Sequence, residues 1–263
     1  RVIYVTRRGV VKIWRPTSNN AVVAATLSVS IQFEDGLAGI VQDPNFASNG
    51  WVYLYYNAND AQMARVARFT VVGETIALTS EVKIIEWPVL RGNGHTGGGM
   101  AFDENGNLFV ATGDNNGATG YVQPAALNTS ANSNDLRGKI LRIRPLATGS
   151  YSVPTGNMFA PGTARTRPEV YAMGFRNPYR IAYDAERRRL YVGDVGPDAS
   201  VDSADGPRGY DEFSIVDSPG FHGWPMCVAD NKNYTGYNCA APVNSSPGNT
   251  GLQNLPPAKP AWI

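Results

Sequence analysis

The sequence has no stretch of about 18 uncharged apolar residues, so no helix that crosses a membrane is expected. It also lacks an excess of either charge: 23 Lys and Arg stand against 22 Asp and Glu, a net charge of +1. A chain so near neutrality is not built for nucleic acid or for an anionic membrane surface. Lysine is scarce and most of the basic residues are arginine, which suits fixed, forked hydrogen bonds. Helix signals are missing as well, because no segment sustains a capped apolar face at helical spacing. Disorder is excluded, since 43% of the 263 residues are apolar, enough for a core despite 28 Gly and 18 Pro. Only two cysteines occur, Cys227 and Cys239, in a loop rich in Asn, Tyr and Gly. That spacing predicts a disulfide, worth about 3 kcal/mol by loop-closure entropy, and a secreted protein from an oxidising compartment. Three sequons for N-glycosylation, at Asn128, Asn233 and Asn244, point the same way.

Strand signals are abundant. Val2–Val5, Val10–Trp14, Trp51–Tyr56, Val66–Val72, Leu108–Ala111, Ile140–Ile143 and Leu190–Val192 are β-branched or aromatic and bounded by Gly, Asn, Asp or Pro. The segments Gly39–Tyr55, Gly99–Asp114 and Arg180–Asp194 repeat one pattern: a strand, an Asp-led turn (Asp43, Asp103, Asp184), then a strand. Hairpins at long, irregular intervals predict propeller blades with loops inserted on one face, whereas a sandwich would space its strands more evenly.

Four segments, in order, resemble the soluble pyrroloquinoline-quinone (PQQ) dependent sugar dehydrogenases of the glucose/sorbosone dehydrogenase family. They are Glu34-Asp-Gly-Leu-Ala-Gly-Ile with Asp43-Pro-Asn-Phe, and Gly94-His-Thr-Gly-Gly-Gly-Met with Thr112-Gly-Asp114. After these come Leu136-Arg-Gly-Lys-Ile-Leu-Arg-Ile with Tyr171-Ala-Met-Gly-Phe-Arg-Asn-Pro178, and Gly206-Pro-Arg-Gly-Tyr-Asp-Glu212 with Gly223-Trp-Pro225. The sequons and the disulfide loop make the chain most similar to the fungal pyranose dehydrogenases of auxiliary activity family twelve. The resemblance implies an all-β, six-bladed β-propeller with PQQ in its centre. Residues 1–263 are then one domain, a piece of a longer propeller with about four blades present and four-stranded antiparallel sheets.

His95 lies among four glycines, which let a flat ligand approach the backbone, and imidazole titrates where a general base should. A turn histidine is the plainer alternative; the resemblance places the catalytic base here. Arg176 and Asn177 precede Pro178 and can donate to an oxygen gaining negative charge, or Arg176 can simply cap a carbonyl. The resemblance puts this pair against the quinone. Gly206, Pro207 and Arg208 then belong to the cofactor pocket, with the Gly206 and Pro207 carbonyls on a calcium ion. Gly196-Pro197 competes for that role, but three residues separate Gly206-Pro207 from Asp211-Glu212, as in the family. Asp211 and Glu212 fall on a second calcium cluster, as does the backbone carbonyl of His222, whose side chain reads as structural. Asp194, Asp198, Asp202 and Asp205 are expected in a solvated loop. Glu34 and Gly94 stand near the implied pocket, where Glu34 replaces another polar residue and Gly94 replaces an acid of bacterial relatives.

The implied activity is oxidation of a pyranose at its anomeric carbon to the lactone, with His95 as base, and PQQ and Ca²⁺ as cofactors. The implied electron acceptor is a cytochrome domain or a copper enzyme, with neither nucleic acid nor membrane as partner. The alternatives are an extracellular binding propeller that has lost the cofactor, and a calcium-dependent lactonase.

Overall fold

A computed structural model describes residues 1–117 and 124–262. Four sheets follow one another along the chain. The first is β1 (Val2–Val5), β2 (Val10–Arg15) and β3 (Asn20–Thr26). The second is β4 (Leu37–Gln42), β5 (Trp51–Asn57), β6 (Met63–Val72) and β7 (Thr75–Pro88), a plain antiparallel meander. The third contains β8 (Met100–Phe102), β9 (Leu108–Thr112), β10 (Lys139–Pro145), β11 (Tyr151–Ser152) and β12 (Val170–Met173). The fourth is β13 (Pro178–Asp184), β14 (Arg189–Asp194) and β15 (Glu212–Val216). After it, β16 (Gly220–Phe221) runs parallel to β12 at the edge of the third sheet. A ribbon of β17 (Cys227–Val228) and β18 (Lys232–Asn233) follows.

Strand periodicity explains how the sheets stack. Successive side chains of a strand point to opposite faces, so a strand between two neighbours is apolar throughout. In β5, Val52, Leu54 and Tyr56 join Val11 and Ile13 of the first sheet in one core. The alternate residues Tyr53 and Tyr55 join Leu108, Val110 and Leu141 of the third sheet in another. β9 repeats the device: Phe109 and Ala111 face Leu190 and Val192 of the fourth sheet. Each sheet is thus a layer between its neighbours. The first strands β1, β4, β8 and β13 lie side by side in that order, as the inner strands of propeller blades do.

The three repeated segments form the hairpins β4–β5, β8–β9 and β13–β14. The expected four-stranded blades hold for the second sheet and for β8, β9, β10 and β12 of the third. The first and fourth sheets have three strands each; after β15 the chain pairs with β12 instead of returning to β15. Cys227 and Cys239 are joined by the expected disulfide.

Candidate active site

Loops that enter the inner strands from one end of the sheets carry the candidate residues. Glu34 precedes β4, His95 precedes β8, and Arg176-Asn177 precedes β13. Tyr4, Gly39, Gly98, Gly99, Met100 and Arg180 are among the residues lining a cavity of about 380 Å³ along these inner strands. Glycine is required at the seam: a Cβ on Gly98 would lie 2.5 Å from the Ala38 Cβ, with φ at +122°.

Neighbouring loops are stitched together. The His95 backbone N–H donates to Glu34 Oε2 at 2.7 Å, and the Gly97 N–H donates to Asn177 Oδ1 at 2.9 Å. His95 is 5% exposed and adopts φ +47°, a left-handed conformation uncommon outside glycine. Its Nδ1 lies 2.7 Å from Oδ1 of Asp114, whose other oxygen accepts the Trp224 Nε1–H at 2.8 Å. Asp114 is fully buried. A carboxylate accepting Nδ1–H places the imidazole lone pair on Nε2, the nitrogen a base must use.

Arg176 meets the same cluster. Its carbonyl accepts the Asp114 N–H at 2.8 Å, and its guanidinium carbon lies 5.9 Å from the Trp224 ring centroid. Nη1 donates to the Val195 carbonyl, whereas Nε is buried and has no hydrogen-bond partner among the described residues. A buried N–H without a partner is costly unless a ligand completes it. Asp194 holds the segment rigid: its two oxygens accept the N–H groups of Arg176 at 3.0 Å and Asn177 at 2.6 Å. Burial pushes the Asp194 carboxyl up to about 7 against the pull of those two donors. Glu212, its register partner across β14 and β15, is pushed up to about 8 by burial and then by Asp194.

The structure therefore brings His95, Arg176 and Asn177 to one end of the sheets, with Asp114 and Trp224 as shared neighbours. It does not bring Gly206-Pro207-Arg208 there. The Gly206 carbonyl accepts the Ser203 N–H at 2.9 Å, the Gly206 backbone abuts Tyr234, and Arg208 is exposed beside Asp202. The competing Gly196-Pro197 is the pair that lines a narrow cleft with Arg176, Asp194, Tyr210, Glu212 and Trp224. Residues 195–199 fold back onto residues 209–211, with the Gly209 N–H donating to the Ala199 carbonyl at 2.7 Å, and this fold-back brings Gly196-Pro197 to the cleft.

Asp211 is exposed and accepts the Gly196 N–H at 2.9 Å. Asp198, Asp202 and Asp205 are also exposed. His222 stacks on Phe175 at 4.8 Å, and burial pushes its pKa down to about 3, so it is neutral; neither ring nitrogen has a hydrogen-bond partner. Among the described residues, no group of three or more His, Cys, Asp or Glu could hold a metal ion. Of the sequon asparagines, Asn233 is exposed and Asn128 is half-buried. Asn244 is 1% exposed, and its Nδ2 donates to the Leu127 and Ala131 carbonyls, an inward clamp no glycan can share.

Sequence reasoning assigned no role to Asp114 or to Trp224, although both lie in quoted motifs. The internal repeat held the signal for Asp114. Asp114 follows the second strand of its hairpin and Asp194 ends the second strand of its own, as Asn57 ends the corresponding strand β5, where its Oδ1 accepts the Gly36 N–H at 3.2 Å. All three tie down the loop that enters their own blade.

A family model described as Glucose / Sorbosone dehydrogenase matches residues 1–252. Aldose sugar dehydrogenase YliI of Escherichia coli is 26% identical over 78% of this chain and 49% of its own length. Human Hedgehog-interacting protein is 27% identical over 57% of this chain and 23% of its own length. The PQQ-bound form of aldose sugar dehydrogenase from Streptomyces coelicolor is similar in structure, with a TM-score of 0.67 and 25% identity. That likeness covers 86% of this chain and 60% of the other. The chain thus spans half or less of the length of these two curated relatives.

Proposed function

Because this chain belongs to the glucose/sorbosone dehydrogenase family, we propose that it forms the catalytic part of a PQQ-dependent pyranose dehydrogenase that oxidises the anomeric carbon to the lactone. The observation that carries this reading is the His95–Asp114 pair beside an Arg176 whose buried Nε has no partner. The residues fit a flat, anionic, carbonyl-rich cofactor. Gly97, Gly98 and Gly99 keep side chains off the seam, and Arg176 offers a donor that no other described residue uses. PQQ, when bound, supplies the two-electron acceptor for the substrate's hydride. His95 Nε2 takes the proton of the anomeric hydroxyl, and Asp114 fixes the tautomer and stabilises the imidazolium that results. Arg176 and Asn177 stabilise negative charge on the accepting oxygen, with their backbone held by Asp194 before the ligand arrives. Burial of His95 and Asp114 excludes water and strengthens each of these interactions.

Calcium fits less fully. The Gly206 carbonyl already accepts the Ser203 N–H, and the donors of the right kind that share one cleft are Asp194, Glu212 and the neighbouring Gly196-Pro197. No step is derived through the ion. Secretion, glycosylation at Asn233, and a cytochrome domain or copper enzyme as electron acceptor complete the proposal. The disulfide supports an oxidising compartment.

The test is to add PQQ and Ca²⁺ to the purified protein, follow bound-quinone absorbance, and measure dye reduction with a panel of pyranoses. Quinone binding with sugar-dependent dye reduction is expected. A protein that binds no quinone and reduces no dye would be a binding propeller instead.

A further inference from the structure

Phe33 is the most exposed of the large apolar residues beside the candidate site. Its side chain packs over the residue next to His95 yet stays open to solvent. A Cβ on Gly94 would meet the Phe33 ring at 2.9 Å, and Phe33 as a whole remains 66% exposed. Water should drive such a ring inward, unless nothing behind it can accept it.

The backbone holds Phe33 outward at some cost. Its φ is +45°, a left-handed conformation that penalises an aromatic residue. Arg7 fixes the bend, with Nη1 donating to the carbonyls of Phe33 at 2.5 Å and Asp35 at 3.0 Å. The next residue, Glu34, grips the His95 N–H, and Asp35 Oδ2 accepts the Gly92 N–H at 3.2 Å. An exposed ring on a strained, clamped turn is therefore pinned to the loop that carries His95. Leu90, 59% exposed, begins that same loop and is tied to Asn115 through its N–H and carbonyl.

From this geometry we infer that Phe33 is an aromatic platform at the mouth of the site, selecting substrates in which a second sugar unit adjoins the one oxidised at His95. The inference rests on the proposed dehydrogenase reading. A pyranose presents an apolar face of C–H groups, and binding pockets for such ligands combine aromatic walls with a few polar anchors. His95 is 5% exposed and Phe33 is 66% exposed, so the two lie at different depths. A single ring seated at His95 lies below the platform, and the adjoining unit of a disaccharide reaches it. Phe33 touches no reacting atom in this arrangement. It determines specificity through binding alone.

Phe33→Ala, Phe33→Trp and Phe33→Gly variants test this, with glucose, cellobiose and maltose as probes. Binding by calorimetry and turnover by dye reduction are both measured. In the unaltered protein the disaccharides should bind more tightly than glucose. Phe33→Ala should weaken disaccharide binding about tenfold and raise disaccharide KM equally, leaving kcat and the glucose constants in place. Phe33→Trp should keep the preference. Phe33→Gly should lose it while matching or exceeding the original thermal midpoint, since glycine accepts the left-handed turn freely. Equal losses for glucose and disaccharides, or no loss for either, overturn the platform while glucose oxidation keeps the dehydrogenase reading standing. A change confined to the KM of the dye would assign the ring to the electron acceptor and overturn the platform too. If the unaltered protein neither binds nor oxidises any sugar, the dehydrogenase reading fails and the platform with it.

Discussion

The two ends of the hairpins β8–β9 and β13–β14 use aspartate for opposite purposes. At the turn end, Asp103 accepts the Asn105 N–H at 2.9 Å, the Asn107 N–H at 2.8 Å and the Asn107 Nδ2–H at 2.7 Å. Asp184 likewise accepts the Arg187 N–H at 3.0 Å, and its own turn holds its carboxyl below the ordinary range. At the site end, Asp114 and Asp194 are buried, stand beside the proposed chemistry and bind groups 17 to 110 residues away, in addition to the local Asn116 N–H that Asp114 accepts at 2.9 Å. A turn aspartate is satisfied by its immediate neighbours in sequence. A site aspartate is satisfied only once separate loops have been assembled, so its energy depends on the whole fold.

Changing each end in turn separates these roles. Asp114→Asn gives the largest effect: with the His95 tautomer no longer imposed, turnover in the PQQ-loaded protein should fall by about 10²-fold or more, with quinone binding largely kept. If turnover survives, Asp114 is scaffolding like Asp103. Next is Arg176→Ala, which should lower turnover by about 10²- to 10³-fold as the oxyanion donor is lost. An effect on melting temperature alone would remove Arg176 from the chemistry.

The pH dependence of stability comes third. Folded Asp194 keeps its proton to about pH 7, whereas the unfolded chain releases it near the ordinary value of 3.8. The native state therefore binds the extra proton between those limits. Its contribution to stability is complete below about pH 4 and is lost as pH rises through 7. In calcium-free buffer the thermal midpoint should fall from pH 5 to pH 8, and Asp194→Asn should flatten that fall. A midpoint rising over this range would contradict the assignment. The smallest change is Asp103→Ala, expected to cost about 1–2 kcal/mol in denaturant unfolding with kcat and KM unaltered, because its hydrogen bonds are local to the turn.

Much of the fold was legible because its information is local. The strands Trp51–Asn57 and Leu108–Thr112 read as continuous apolar runs, and three Asp-led turns marked the hairpins. The strand Thr75–Pro88 was not legible, since it mixes Thr, Ser, Glu and Lys with its buried residues. His95, Arg176 and Asn177 stood out through unusual local settings, among glycines or before a proline. Which of Gly196-Pro197 and Gly206-Pro207 lies near Arg176 was not legible, because only the fold-back of residues 195–199 onto residues 209–211 decides it.

The sequence by itself determined the all-β class, the repeating hairpins and the cysteine pairing. Each of these follows from side-chain periodicity, turn chemistry or the scarcity of a residue type, which operate over a few positions. The tertiary structure alone decided which polar groups lose their water. Lys139 sits in a strand motif where a lysine would ordinarily face solvent. It is fully buried, with Nζ donating to the carbonyls of Thr129 at 2.7 Å, Ser130 at 3.1 Å and Arg137 at 2.6 Å, and burial pushes its pKa down to about 7. Asp114 is marked in the sequence only by its place in the repeat, and it is its burial between His95 and Trp224 that sets it against an imidazole. Desolvation depends on what the rest of the chain stacks above a residue, and no short stretch of sequence contains that information.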